Sequence, residues 1–213
     1  MRRDKPLVVF CLMLCLILGA CLNLKQPRTR IEYYTLEYGP PPFEALDPLP
    51  VVLRLQRFGV APTYNTNRLI YRNDAFERDA YLYHKWRANP GDLVSYFLGR
   101  DLRQSGLFNG VLAYDSHSPA SFMLEGFVDE FLEWDDTSVW QAVLTVSVAL
   151  MAENEPDISK KILFQKTYHA REPSTRKHPQ ELAEAMSRAM SKVSGEIIMD
   201  VYTHLRAMTG EGS

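Results

Sequence analysis

The chain predicts an α+β fold: a mainly antiparallel sheet with two helices packed on one of its faces. Three observations carry this expectation. Strand-like stretches come in runs and hairpins, without the strand–helix alternation of parallel α/β proteins. Two longer stretches carry apolar residues at steps of three and four, the mark of helices that bury one face. The chain has 213 residues and 46% hydrophobic content, enough for one well-packed domain.

The first strand is expected over 32–38 (EYYTLEY), rich in Tyr and Thr, and Gly39-Pro40-Pro41-Pro42 stops it. Residues 51–57 alternate: Val51, Leu53 and Leu55 point one way, Arg54 and Gln56 the other, as in a half-buried strand. Residues 67–73 and 79–85 read as a hairpin around the polar turn Asn73-Asp74. Asn89-Pro90 then opens a helix, with Asn as cap and Pro in the first turn. Leu93, Val94, Phe97, Leu98 and Leu102 form its stripe, and Gly106 suits the position just past its end. Strands follow over 107–114, 120–133, 139–152 and 160–170; the middle two form a long hairpin tipped by Asp135-Asp136-Thr137-Ser138. A second helix runs over about 179–207, with Leu182, Met186, Ala189, Val193, Ile197, Val201 and Leu205 as its core-facing stripe.

The N-terminus reads as a leader. Arg2, Arg3, Asp4 and Lys5 are net positive, and Leu7 to Leu18 is an unbroken apolar run. That run is shorter than the about 20 residues a spanning helix needs, so it reads as the apolar core of a signal peptide. Leu18-Gly19-Ala20-Cys21 then matches a bacterial lipobox. Small residues fit a narrow peptidase site, and the Cys21 thiol is the nucleophile that accepts a diacylglyceryl group. Residues 1–20 are therefore expected to be a lipoprotein signal peptide, 21–31 a lipidated tether and 32–208 a single domain. Leu22 follows the cysteine where an Asp would favour inner-membrane retention in enteric-type bacteria, so the periplasmic face of the outer membrane is the expected site. The chain's three cysteines are Cys11, Cys15 and Cys21. Two leave with the leader and the third is lipidated, so stability falls to an ordinary hydrophobic core.

Formal net charge is −2, and no Arg/Lys cluster points to nucleic acid. No nucleophile elbow, zinc-binding H-E-x-x-H, P-loop or dinucleotide fingerprint occurs. The histidines, His84, His117, His169, His178 and His204, do not pair at metal-ligand spacing on any expected element. Asp129, Glu130, Glu133, Asp135 and Asp136 lack the spacing of a calcium loop and read as a solvated hairpin tip. No catalytic residue, cofactor or metal site is expected. Tyr81 and Tyr83 share one face of their expected strand, which suits cross-strand packing. Trp134 and Trp140 bracket the acidic tip and are candidates for contact with a partner or lipid.

An ordered set of short motifs resembles the ABC-type transport auxiliary lipoproteins, the PqiC-like family. Tyr33-Tyr34-x-Leu36 comes first, then Arg68-Leu69-Ile70-Tyr71-Arg72 and Tyr81-x-Tyr83-x-x-Trp86 with Pro90. Ser105-Gly106-Leu107-Phe108 and Leu124-Glu125-Gly126 complete the set. The resemblance implies a periplasmic α+β domain on the outer membrane. It implies a partner MCE (mammalian cell entry) protein with an ABC permease and ATPase, moving lipids or other hydrophobic molecules across the envelope. It brings no catalytic residues. Homo-oligomers are compatible with the same sequence.

Two other readings stay open at this stage. A periplasmic lipid-binding carrier would need an apolar cavity between helices and sheet. An envelope hydrolase would have only scattered Ser, His and Asp, with His84 and His169 the hardest histidines to set aside.

Overall fold

The computed structural model describes residues 30–44, 46–135 and 139–210. The leader and nearly all of the tether, Cys21 included, lie outside the described residues, as do three of the four tip residues, Asp136 to Ser138. Ile31–Ser213 clusters as one compact unit, divided from Met1–Arg30. Among the described residues no helix is long and apolar enough to cross a membrane.

Along the chain come β1 (Glu32–Tyr34), β2 (Leu49–Leu55), β3 (Gly59–Val60), a 3₁₀ turn (Pro62–Tyr64), β4 (Arg68–Arg72) and β5 (Asp79–Trp86). Helix α1 (Pro90–Gln104) precedes β6 (Phe108–Leu112), β7 (Phe122–Asp135) and β8 (Trp140–Ala152). A one-turn helix α2 (Ile158–Lys161), β9 (Ile162–Ser174) and the long helix α3 (Pro179–Gly210) complete the unit.

The two long helices form where the apolar stripes place them. Asn89 caps α1, its side chain accepting from Gly91 N at 3.0 Å, with Pro90 in the first turn. Gly106 closes the helix at φ +67°, a conformation that a side chain would strain. Every residue of the α3 stripe is buried, from Leu182 to Leu205. The Ser194 hydroxyl of α3 donates to Asp101 of α1 at 2.7 Å, and Lys166 and Tyr168 of β9 reach Asp200 of α3. Both stripes join the strands in one core cluster.

The sheet departs from expectation: it is mixed, not mainly antiparallel. Pairs β4–β5, β7–β8 and β8–β9 are antiparallel, but β1–β5, β2–β6, β2–β7, β3–β7 and β4–β7 are parallel. Strand β7 explains the mixture. Along one edge it pairs with β8 for its whole length. Along the other it takes β2, β3 and β4 in turn, at Phe122–Leu124, Phe127–Val128 and Glu133–Trp134. These segments reach β7 through long crossovers, and crossovers yield parallel neighbours.

Three local expectations also change. The first strand shortens to three residues, although Leu36 just beyond it is buried. Arg54, expected to face outward, is 8% exposed; it pairs with Glu153 at 3.0 Å and donates to the carbonyls of Ser116 and Ser118. In β5 the register jumps from Arg68↔Lys85 to Ile70↔Ala80, so simple alternation fails there. Leu82 and Tyr83 are both exposed, while Tyr81 turns inward.

Candidate functional site

Strands β4, β7 and β9 finish at one end of the sheet. Arg72 lies beside Trp134, and both Asp135 and Ser174 lie beside Trp140. The register pairs Trp134 with Gln141 and Asp135 with Trp140. Side chains alternate along a strand, so Trp134 and Trp140 point to opposite faces. The structure does not bring the two tryptophans into one patch.

Trp134 is flanked by cations. The Arg72 guanidinium carbon is 3.3 Å from its ring centroid and that of Arg171 4.6 Å. Among the described residues, neither guanidinium has a carboxylate within ion-pair distance. Attraction to the ring quadrupole holds two like charges close together. Trp140 behaves differently. Its indole N–H donates to Asp135 at 2.7 Å, and Asp135 is ion-paired with Lys177.

The described members of the acidic cluster, Asp129, Glu130, Glu133 and Asp135, do not form a solvated tip. Asp129 accepts from Ser147 at 2.6 Å and Glu130 from Thr145 at 2.8 Å, across neighbouring strands. Glu133 is fully buried and accepts the Tyr81 hydroxyl at 2.6 Å, while its other oxygen has no partner among the described residues. Burial lifts the Glu133 carboxyl above its ordinary range, although the Tyr81 bond and the Lys177 charge oppose this. Burial and Glu133 together push the Tyr81 phenol up. One signal could have exposed Glu133: Phe131, two residues earlier on the same strand face, is core.

A second feature lies on the exposed side of β7–β9. Phe127, Thr167, His169 and Arg171 are exposed there, while Val128, Val146 and Tyr168 of the alternate face are buried. A concave cavity of about 560 Å³ is lined by Glu125, Phe127, Ser147, Ala149, Gln165 and Thr167, among others. Ser147 links Asp129 to Thr167, and Thr145 links Glu130 to His169. The surface is concave and polar, with one aromatic.

The histidines do not converge. His84 contacts Tyr34 and Glu32, His169 contacts Thr145, and the His204 ring lies 4.5 Å from that of Phe164. Burial and Glu32 raise the Tyr34 phenol to about 12. Among the described residues no three His, Cys, Asp or Glu side chains gather at metal-binding distance. The arrangement offers surfaces: a cation-flanked tryptophan at one end and a polar concavity on one face. Arg72 and Arg171 are the residues that sequence reasoning missed, because they meet only across strands far apart in the chain.

The fold defines a single α+β unit. A family model described as ABC-type transport auxiliary lipoprotein component matches residues 34–198. The chain belongs to that family of transport-associated envelope lipoproteins. The fold is similar to a Xanthomonas campestris protein of family DUF330, with a TM-score of 0.76 and 16% identity over 84% of this chain and 99% of that one. An uncharacterized protein matches at 0.63, with 12% identity over 81% and 99%. A hypothetical protein from Chlamydia trachomatis matches at 0.50, with 13% identity over 75% and 99%. At such identities the likeness concerns the fold alone. No curated protein matches the chain.

Proposed function

We propose that this protein is a non-enzymatic auxiliary subunit of an ABC-type system that moves lipids or other hydrophobic molecules across the cell envelope. In this reading residues 1–20 are removed, Cys21 is acylated, and the domain sits on the periplasmic face of the outer membrane. Its partner is an MCE-domain protein that works with an ABC permease and its ATPase. The observation that carries the reading is the family match over residues 34–198, downstream of Leu18-Gly19-Ala20-Cys21. The long helix α3 packs against β8 and β9, and in this reading the concavity on the exposed side of β7–β9 receives the partner or further copies of the chain.

Crosslinking of the intact lipoprotein in cell envelopes, followed by pull-down, tests the partnership. Recovery of an MCE-domain protein with a permease is the expected result; recovery of neither would overturn it. Anchoring is tested separately. Full complementation of a deletion by a soluble Cys21→Ala protein would show that the anchor is dispensable.

The carrier reading has less support. Between sheet and helices the space is filled by Leu124, Val128, Leu144, Val146, Met186, Val193 and Ile197, all fully buried. Native mass spectrometry of delipidated protein is expected to show a clean apo mass.

A further inference from the structure

We propose that the end of the domain bearing the β4–β5 turn is a lipid-seating face, which lays Phe76 and the Arg72–Trp134–Arg171 row against a phospholipid bilayer. The proposal takes from the reading above only that the upstream chain is what holds the domain near a membrane.

Strand direction comes first. β7 runs toward this end and β4 runs beside it in parallel. β5 returns antiparallel, and β1 follows β5 in parallel. β1 therefore runs away from this end, and the chain enters it from this side at Ile31. The Phe76 turn and the Arg72–Trp134 pair lie at the same end of the sheet. A tether of about ten residues reaches about 33 Å at most, so a bilayer holding its far end meets this side of the domain first.

Phe76 is the second observation. It sits in the turn between β4 and β5, 99% exposed. A phenyl ring left wholly in water forgoes the free energy of burial. Leu82 of β5, Ile31 just before β1 and Val139 just before β8 are also exposed. The carboxylates Asp74 and Glu77 flank Phe76 and resist dehydration, so insertion stops at the ring.

The cations are the third observation. Arg72 and Arg171 are held on Trp134 with no carboxylate at ion-pair distance among the described residues. A guanidinium matches a phosphate with paired hydrogen bonds, and tryptophan favours the headgroup region of a bilayer. The opposite end exposes Ile158 at 82%, on the β8–β9 connection. That end lies about 45 Å away along β7, at ~3.3 Å per residue.

The test uses the full-length protein in vesicles of phosphatidylethanolamine and phosphatidylglycerol. An environment-sensitive fluorophore is attached at Phe76→Cys or, as control, at Glu155→Cys on the opposite end. Peptide mapping confirms the labelled site, and intact mass separately reports acylation of Cys21. A several-fold rise in emission at residue 76, quenched by brominated acyl chains, with neither effect at 155, is expected. Adding Arg72→Gln and Arg171→Gln should reduce the rise at least twofold. Equal emission at 76 and 155 overturns the proposal. Acylated protein with an unquenched residue 76 leaves the anchor standing and removes the seating face. Quenching at 76 without acylation does the reverse.

Discussion

The ring of Phe58 lies directly over Gly126, where any Cβ would overlap its ring carbons. Phe58 is 4% exposed and cannot swing aside. The glycine in Leu124-Glu125-Gly126 is thus explained by close approach, which lets the Phe58 ring, between β2 and β3, pack directly on β7. Gly126→Ala should cost about 1–3 kcal/mol through overpacking. Urea denaturation checks this, and a Phe58→Leu change in the same chain should recover part of the loss.

Asp101 ties three segments together. Its carboxylate accepts from Tyr38 at 2.8 Å, Ser194 at 2.7 Å and Arg100 at 2.7 and 2.8 Å, and it is fully buried. Burial and this charge push the Tyr38 phenol up. Asp101→Ala should cost about 3–5 kcal/mol, because it strands a cation and two hydroxyls. Hydrogen exchange should report faster opening around Tyr38 and at the facing turns of α1 and α3. Ser194→Ala removes one charge-assisted bond and should cost about 1.5–3 kcal/mol.

Glu133 makes stability depend on pH in an unusual direction. Its folded pKa is raised above the ordinary 4.5, chiefly by burial. The native state therefore holds the proton more tightly than the unfolded chain. Stability contributed here is complete below 4.5, falls as pH rises through the folded value, and is flat above it. Glu133→Gln should match or exceed the parent at neutral pH and lose that advantage in acid. Denaturation midpoints across the range measure it; a parent whose midpoint does not fall over this interval would sink the account.

The concavity on β7–β9 predicts a separable defect. Phe127→Asp with Thr167→Arg changes exposed side chains and should leave the circular dichroism spectrum and melting temperature within a few degrees of the parent. Recovery of the crosslinked partner should drop at least tenfold. Unchanged recovery would move the interface away from this face.

Elements with strong local patterns were legible in the sequence. Asn89-Pro90 and the Leu182-to-Leu205 stripe state their helices outright, and the β7–β8 hairpin follows from two apolar runs around a polar tip. Parallel pairing was not legible. Alternation in Val51, Leu53 and Leu55 says that one face is buried, but it is silent on whether β6 or β7 lies alongside, and in which direction. β3 and its 3₁₀ turn are too short for any period. The Trp134 environment was hidden for the same reason: Arg72 and Arg171 approach it from strands on either side of the hairpin.

One edge of β7 is completed by three separate pieces of earlier chain, with Leu53 beside Phe122, Gly59 beside Phe127 and Tyr71 beside Glu133. A polypeptide emerging from its N-terminus therefore leaves the β7-facing edges of residues 49–72 unpaired until 122–135 arrive, although β5 and β6 can already cover the other edges of β4 and β2. Folding is thereby deferred to a late, long-range closure, which is intrinsically slow. During that interval β2 and β4 present unsatisfied edges, so a holding chaperone should matter most before β7 is released, and truncations upstream of Phe122 should aggregate.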